Sequence, residues 1–371
     1  MAEEDMGMTS SDVVSRRSDQ TGTSGYVDWD FAKATGRRLV QAGPVVTPAE
    51  AVAVVETLRS AAQRARIPVA ETARMHSPMG SSPVLIVDRP GWIDANVDSL
   101  RSMLEPVVLA MVAKRRGAKA TSPLAQEVGG KVTGAETGAL MSFLASKVLG
   151  QYDLAPDGVP RLLLVAPNVL QAEHDMGVEP GDFRLWVCLH EETHRVQFTA
   201  VPWLRQHVVD SVRRLSLDLA PDPEQLGDTI RRLTENLPDA LRSGGNGLTD
   251  IFATPEQRVQ IAKVTAIMSL LEGHADVVMD DVGPAVVPSV DQIRARFQER
   301  RREAGGVDKI LRRLLGLEAK MRQYRDGAAF VRAVTAKVGT EGFNEVWTSA
   351  ETLPLPLEIE NPSTWVQRIH G

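Results

Sequence analysis

The chain of 371 residues has a single cysteine, Cys188, and no excess of basic charge. One cysteine excludes an intrachain disulfide, so cysteine usage gives no sign of an oxidising compartment. The net charge of −6 provides no overall attraction to phosphate backbones, which nucleic-acid-binding domains obtain from a basic excess. Composition therefore favours peptides or small molecules over nucleic acid as partners.

Long apolar runs and a secretory signal are also missing from the sequence. The longest apolar runs, at 106–113 and 162–167, are far shorter than the ~20 residues that a helix needs to cross a bilayer. The first residues are acidic where a signal peptide needs basic ones, and no apolar segment follows them. We therefore expect a cytoplasmic protein that does not bind or span a membrane.

The first 25 residues are polar, rich in Ser, Thr and Gly, and lack the periodicity of a helix or a strand. Such a segment buries too little apolar surface to offset the entropy of ordering, so we expect a disordered arm at 1–25. The chain as a whole is 43% apolar, which is enough for a large core. We expect 26–371 to form one unit, with two lobes around a cleft as the alternative.

Helical periodicity dominates the remaining sequence. Thr47 precedes Pro48 and Thr254 precedes Pro255, and each pair predicts a helix start in which an N-cap is followed by a proline of the first turn. Further helices are predicted at about 98–114, at 138–153 and from Pro180 onward.

Only two segments have the features of strands. They are the short apolar runs at 84–89 and 161–170, each bounded by proline. Residues 220–254 are rich in Pro, Gly and Asp and predict a loop-rich excursion, whereas the closing segment 353–365 has too many prolines for a helix. The sequence therefore predicts a mainly α fold with a small β-sheet.

The segment CLHEETHRVQF, at 188–198, contains two histidines four residues apart. On a helix these residues share one face, so His190 and His194 can present two imidazole nitrogens to one zinc ion. Glu191 is rotated by about 100° from His190, which keeps it off the metal but within reach of a zinc-bound water as general base. The flanking residues are apolar, and polar groups inside a buried helix need partners or a metal.

A catalytic zinc usually takes three protein ligands, so another segment must complete the site. The longer His-x-x-Gly-x-x-His continuation of the motif is excluded because Gln197 and Ala200 occupy those positions. In the apolar segment LLEGHADVVMDD, Glu272 and Asp276 stand four residues apart, which is the Glu-x-x-x-Asp arrangement of the glutamate zincins. We expect Glu272 to be the third ligand and Asp276 to be the partner of a ligand histidine.

Other residues compete for these roles. His207, His274 and Asp280 are alternative third ligands, whereas Cys188 lies about 200° from His190 around the helix and is a poor one.

Tyr324 is a candidate catalytic residue because a tyrosine can donate a hydrogen bond to a tetrahedral oxyanion, although packing in the core is the commoner role. The basic segment 294–303 contains Glu299 and Glu303 among its arginines, so we expect a solvated helix face rather than a nucleic-acid-binding patch.

Several segments together resemble a known family: SKVLGQYD, RLLLVAPN, FRLWVCLHEETHRVQF, EGHADVVMD, LGLEAKMRQYRDGAAFV, FNEVW and LPLPLEIENPSTW. From about Tyr26 to the C-terminus the chain is similar to the bacterial zincin-like metallopeptidase or hydrolase family, some of whose members are associated with biosynthesis of a deazaflavin cofactor. The resemblance implies a zincin-like metallopeptidase fold. It implies Zn²⁺ as cofactor, with His190, His194 and Glu272 as metal ligands and Glu191 as the catalytic residue.

We therefore expect a zinc-dependent hydrolase, and a metallopeptidase above other amide hydrolases, with the strand at 161–170 supplying a sheet edge for an extended substrate. Glu191 would take a proton from the zinc-bound water and pass it to the leaving nitrogen. Two alternatives stay open: a hydrolase of a non-peptide amide in cofactor metabolism, and a catalytically silent protein that uses the fold for binding. Glu191 favours catalysis, because a scaffold needs no base at that position.

Overall fold

A computed structural model describes residues 26–78, 82–114, 123–219, 254–303 and 317–371. The predicted arm at 1–25 lies outside these described residues, and so does the loop-rich segment at 220–254, apart from Thr254. Among the helices of the described ranges, none has both the length and the apolar composition needed to span a bilayer.

The described chain is mainly helical and contains one three-stranded sheet. In chain order the elements are α1 (Trp29–Leu39), α2 (Pro48–Ala73), β1 (Val84–Val87), α3 (Arg89–Lys114), α4 (Pro123–Ala145), β2 (Gly150–Asp153), β3 (Arg161–Val165), α5 (Ala166–Met176), α6 (Pro180–Ala200), α7 (Leu204–Asp218), α8 (Pro255–Val282), α9 (Val290–Glu303), α10 (Leu317–Asn344), a 3₁₀ turn (Glu345–Trp347), α11 (Pro356–Glu360) and α12 (Pro362–His370).

The two capped helix starts predicted from the sequence are confirmed. In α2, Thr47 Oγ1 accepts from the backbone N–H of Glu50, and the Glu50 carboxylate accepts from the backbone N–H of Thr47 at 2.7 Å. Thr254 and Gln257 make the same reciprocal pair of bonds at the start of α8. These bonds satisfy backbone N–H groups that have no partner within the helix, so they fix where α2 and α8 begin.

Several segments differ from the prediction. The predicted strand at 84–89 ends at Val87, and the predicted helix at about 98–114 begins at Arg89. The predicted helix at 138–153 ends at Ala145, and its last residues form strand β2 instead. The predicted strand at 161–170 ends at Val165, after which α5 begins. The closing segment 353–365 is largely helical, because each of its two short helices places a proline in the first turn, where no backbone N–H bond is lost.

Strand β3 is the centre of the sheet, between β1, which is parallel to it, and β2, which is antiparallel. Its residues are buried on both faces: Leu164 contacts the larger apolar core, and Leu163 and Val165 contact a smaller core beside α1, α3 and α4. Burial on both faces explains the continuous apolar run of this strand. The expectation that 161–170 supplies a free edge is wrong, because the edge strand on that side is β2.

Helices α8 and α10 approach each other closely at two glycines. A Cβ on Gly273 would lie 2.1 Å from the carbonyl carbon of Gly327, and a Cβ on Gly327 would lie 1.8 Å from the carbonyl oxygen of Ser269. Only glycine allows such backbone contact. Because Gly273 follows Glu272 directly, this crossing fixes the position of Glu272.

Candidate metal centre

Helix α6 carries the two histidines of the motif through the larger apolar core. It begins at Pro180, as predicted, and the Glu179 carboxylate accepts from the backbone N–H of Asp182 at 2.5 Å. It packs against α2 and α8 and is buried on most of its circumference. Its polar side chains therefore lie in the interior, where each needs a partner.

His190 and His194 of α6 meet Glu272 of α8 in one cleft. The two Nε2 atoms are 3.1 Å apart, and Glu272 Oε2 lies 3.5 Å from His190 Nε2 and 3.4 Å from His194 Nε2. Ligand atoms bound at ~2.0–2.2 Å to one tetrahedral zinc are about 3.3–3.5 Å from each other. The observed spacing therefore fits a zinc ion, and two histidines with one glutamate are a common donor set of catalytic zinc.

The electrostatics of these three groups favour a cation between them. Burial lowers the pKa of His194, but the negative charge of Glu272 and hydrogen bonds to Glu272 and Gln197 outweigh it and raise the pKa to about 9. Burial raises the pKa of Glu272, but the two histidines hold it well below its usual value. The set therefore favours one positive charge among the three side chains, which is the property that a cation site requires.

Gln197 fixes the orientation of His194. Its amide nitrogen donates to the carbonyl oxygen of Leu271 at 2.8 Å and lies 3.0 Å from Nδ1 of His274. Its amide oxygen therefore accepts from the Nδ1–H of His194, at 2.9 Å. Nε2 of His194 is thereby directed at His190 and Glu272, and once deprotonated it can bind a metal ion between them.

Gln197 was missed as a functional residue in the sequence, where it counted only against the longer zinc motif. The available signal was its position three residues after His194, where a helix brings two side chains together.

Asp276 lies beside the other ligand histidine, with Oδ1 at 3.8 Å from Nδ1 of His190. That distance is longer than a hydrogen bond, so its predicted role as the partner of a ligand histidine stays a prediction. Asp276 follows Glu272 by one helical turn, which places both carboxylates on the same side of α8.

The competing ligands point elsewhere. His274 is buried against Phe343 and its pKa is lowered to about 3 by burial, so it is neutral. His207 packs edge-on against Trp203, and the Asp280 carboxylate pairs with two arginines. Within the described part of the chain, only His190, His194 and Glu272 come together as a possible metal-binding set.

Cys188 does not take part in the centre. Its Sγ lies 4.0 Å from the carbonyl oxygen of Leu58, and burial raises the pKa of the thiol. A buried neutral thiol on the far side of α6 is not a metal ligand, as expected from its position around the helix.

Glu191 is buried next to the two histidines, and its Oε2 has no hydrogen-bond partner. Burial raises the pKa of Glu191, although the neighbouring histidines lower it in part. A Cβ on Gly150 would lie 2.6 Å from Cγ, 2.7 Å from Cδ and 2.8 Å from Oε1 of Glu191. Gly150 therefore leaves the space that the Glu191 side chain occupies.

The cleft that contains the centre has a volume of about 1430 Å³ and runs along the free edge of β2. The backbone N–H of Val165 donates to Leu149, so residues 149, 151 and 153 form the hydrogen-bonded pairs of the β2–β3 ladder. The antiparallel alternation then points the backbone groups of Gly150 and Tyr152 away from β3, toward the free edge.

Two further predictions concern Tyr324 and the basic segment 294–303. Tyr324 lies in α10, but its side chain is outside the described residues. In the basic segment 294–303, Arg296 and Glu299 are exposed and pair with each other, as expected for a solvated face. Arg294 is an exception to that expectation, because it lines the cleft.

Comparison with known proteins gives two matches. The family model described as zincin-like metallopeptidase matches residues 27–366. A crystal structure of a candidate hydrolase with a novel fold, from Chloroflexus aurantiacus, has 30% sequence identity and a TM-score of 0.66, and the match covers 92% of this chain and 98% of that chain. No curated protein sequence matches the chain.

Proposed function

Because the chain belongs to the zincin-like metallopeptidase family, we propose that it is a zinc-dependent hydrolase that cleaves amide bonds, and peptide bonds in particular. His190, His194 and Glu272 would hold the zinc ion, and Glu191 would be the general base. The observation that carries the proposal is the convergence of three ligand atoms within 3.1–3.5 Å of one another beside a buried glutamate.

When bound, zinc supplies Lewis acidity: it polarises a carbonyl group and lowers the pKa of a water to about 7. Glu191 accepts a proton from the attacking water and returns it to the leaving nitrogen. Its raised pKa suits both steps, because the same carboxylate must take up and release a proton near neutral pH. Gln197 keeps His194 in the tautomer that a metal ligand needs.

Two features support a peptide as the substrate. The cleft, at about 1430 Å³, is larger than the ~300–1,000 Å³ of usual small-molecule pockets. The outward backbone groups of Gly150 and Tyr152 can pair with an extended peptide as an added strand.

The two alternatives make different use of the same residues. A non-peptide amide of cofactor metabolism would be hydrolysed by the same metal ligands and base. A silent binding protein has no use for Glu191, whose buried oxygen without a partner lowers stability. The similarity to a candidate hydrolase also supports hydrolysis over a scaffold role.

The test combines metal analysis with a cleavage screen. Protein purified without chelators is expected to hold about one zinc per chain and to cleave members of a peptide library. Glu191→Gln is expected to keep the zinc and lower the rate at least ~10²-fold.

Protein that takes up no zinc, or a Glu191→Gln variant that cleaves at the parent rate, would falsify the proposal. Zinc-loaded protein that hydrolyses small amides and no peptide would select the first alternative instead.

A further inference from the structure

Two arginines meet one carboxylate in the cleft, beyond the metal centre. Asp280 of α8 forms ion pairs with Arg294 of α9 and Arg332 of α10, and all three residues line the cleft. Glu272, Asp276 and Asp280 follow each other at intervals of four residues on α8. The arginine pair is therefore about two turns, or ~12 Å along the helix, from Glu272.

These arginines differ from those of the protein core. Arg195 is 6% exposed and pairs with Glu192, so it is sealed in the interior. The side chains of Arg294 and Arg332 are 30% and 52% exposed, respectively, and both line the cleft, whereas Nη2 of Arg294 is buried. An anion that enters the cleft can therefore approach the exposed atoms of the pair.

The charges of the pair also favour an additional anion. The pKa of Arg294 is lowered by burial and by the positive charge of Arg332, and Asp276 only partly offsets this. The two guanidinium groups that share Asp280 repel each other, and Asp276 is a further carboxylate that acts on Arg294. A substrate carboxylate would relieve the remaining repulsion and accept paired hydrogen bonds from a guanidinium fork.

A purely structural role explains this arrangement less well. Asp280 with its two arginines ties α8 to both α9 and α10, but partly exposed ion pairs of this kind contribute little to stability. The two guanidinium groups also repel each other across that tie, whereas in an anion-binding site both add affinity.

We propose that Arg294 and Arg332 form a subsite for a substrate carboxylate, about 12 Å along α8 from Glu272. The proposal rests on the hydrolase function above and adds a substrate class to it. An extended peptide advances ~3.4 Å per residue, so the carboxylate would be a chain end or an acidic side chain about three residues from the scissile bond.

The test measures binding of four probes to zinc-loaded protein by calorimetry. All are peptides of three residues with an N-terminal hydroxamate that binds zinc. One pair ends in a free carboxylate or a carboxamide, and the other pair is amidated and has Glu or Gln as third residue. In at least one pair the charged member is expected to bind at least ~10-fold more tightly than its neutral partner.

Variants assign that advantage to the two arginines. Arg294→Gln and Arg332→Gln are each expected to remove most of the difference in affinity between the charged and the neutral probe. Each variant leaves Asp280 with one arginine, so the fold is kept. Arg332→Lys is expected to retain part of that difference, because the charge stays and the fork geometry is lost. Arg296→Gln, on the exposed side of α9, is the matched control and is expected to keep the full advantage.

The outcomes separate the subsite from the hydrolase function. Charged and neutral members of both pairs that bind equally overturn the subsite and leave the metal centre intact. A preference for the charged probe that persists in both Gln variants also overturns the subsite, because another cation must then bind the carboxylate. Probes that do not bind at all, together with acetohydroxamate that does not bind, overturn the hydrolase function and the subsite with it.

Discussion

Helix α6 has a packed face, which carries Arg184, Glu192 and Arg195, and a cleft face, which carries His190, Glu191 and His194. The two faces differ in how their buried polar and charged side chains are paired. On the packed face, Arg184 donates two hydrogen bonds to Glu173, at 2.5 and 3.0 Å, and Arg195 pairs with Glu192. Each charge there has its counter-charge within the protein. On the cleft face, the ring nitrogens of His190 and His194 instead converge with the Glu272 carboxylate of α8, as in a cation-binding site.

The contrast is sharpest between two neighbouring residues. Glu191 is 7% exposed and Glu192 is 1% exposed, yet Glu192 has an arginine partner and Glu191 Oε2 has no hydrogen-bond partner. Burial without a partner is unfavourable, so a fold keeps such a group only where another use balances the loss of stability. This difference supports the proposed catalytic role of Glu191.

The largest effect is expected from removing the ligand that α8 contributes to the cleft face. Glu272→Ala leaves two histidines, which are too few for tight zinc binding, so dialysed protein should lose its zinc. Metal analysis of parent and variant measures this directly. Asp276→Ala, one turn away, should weaken zinc binding only ~10–100-fold. Equal zinc content in Glu272→Ala and parent protein would show that another residue is the third ligand.

The next largest effect is expected on the packed face. Glu192→Gln removes the negative charge that pairs with the buried Arg195 and should lower the free energy of unfolding by about 3–5 kcal/mol, with zinc content unchanged. Glu191→Gln, the same change one residue earlier, should leave that free energy equal or higher, because it removes a buried charge. Urea unfolding of the two variants measures both. Equal destabilisation would mean that the two faces do not differ.

A smaller effect is expected from the glycine that faces Glu191. Gly150→Ala places a methyl group within 2.6–2.8 Å of the Glu191 side chain, which must rotate away. The catalytic constant should fall about tenfold or more, because a displaced base no longer reaches the proton, while zinc content stays the same.

Gly158→Ala is the matched control for that change. Its Cβ would lie 3.6 Å from Cβ of Ala155, an ordinary contact, so its activity should equal that of the parent. A Gly150→Ala variant with parent activity would show that Glu191 does not need this space.

Local signals in the sequence were enough to predict the two helix starts and the placement of His190, Glu191 and His194 on one helix. Thr47 and Thr254, each followed by a proline, determine where α2 and α8 begin through hydrogen bonds between residues three apart. Strand β2 was missed because its four residues lack an apolar pattern of their own. Its place comes from pairing with β3, a contact that no short sequence window contains.

By itself, the sequence determined that His190, Glu191 and His194 share a helix, because the period of a helix relates residues four apart. It also indicated Glu272 as a ligand, although that role stays a prediction. Only the tertiary structure decided that Glu272 of α8 meets the two histidines, that Gln197 reaches Leu271 and His274, and that Glu191 occupies the space left by Gly150. The physical reason is that the pKa of a buried group depends on its burial and on partners from distant segments. The packing of α6 against α8 and β2 determines both.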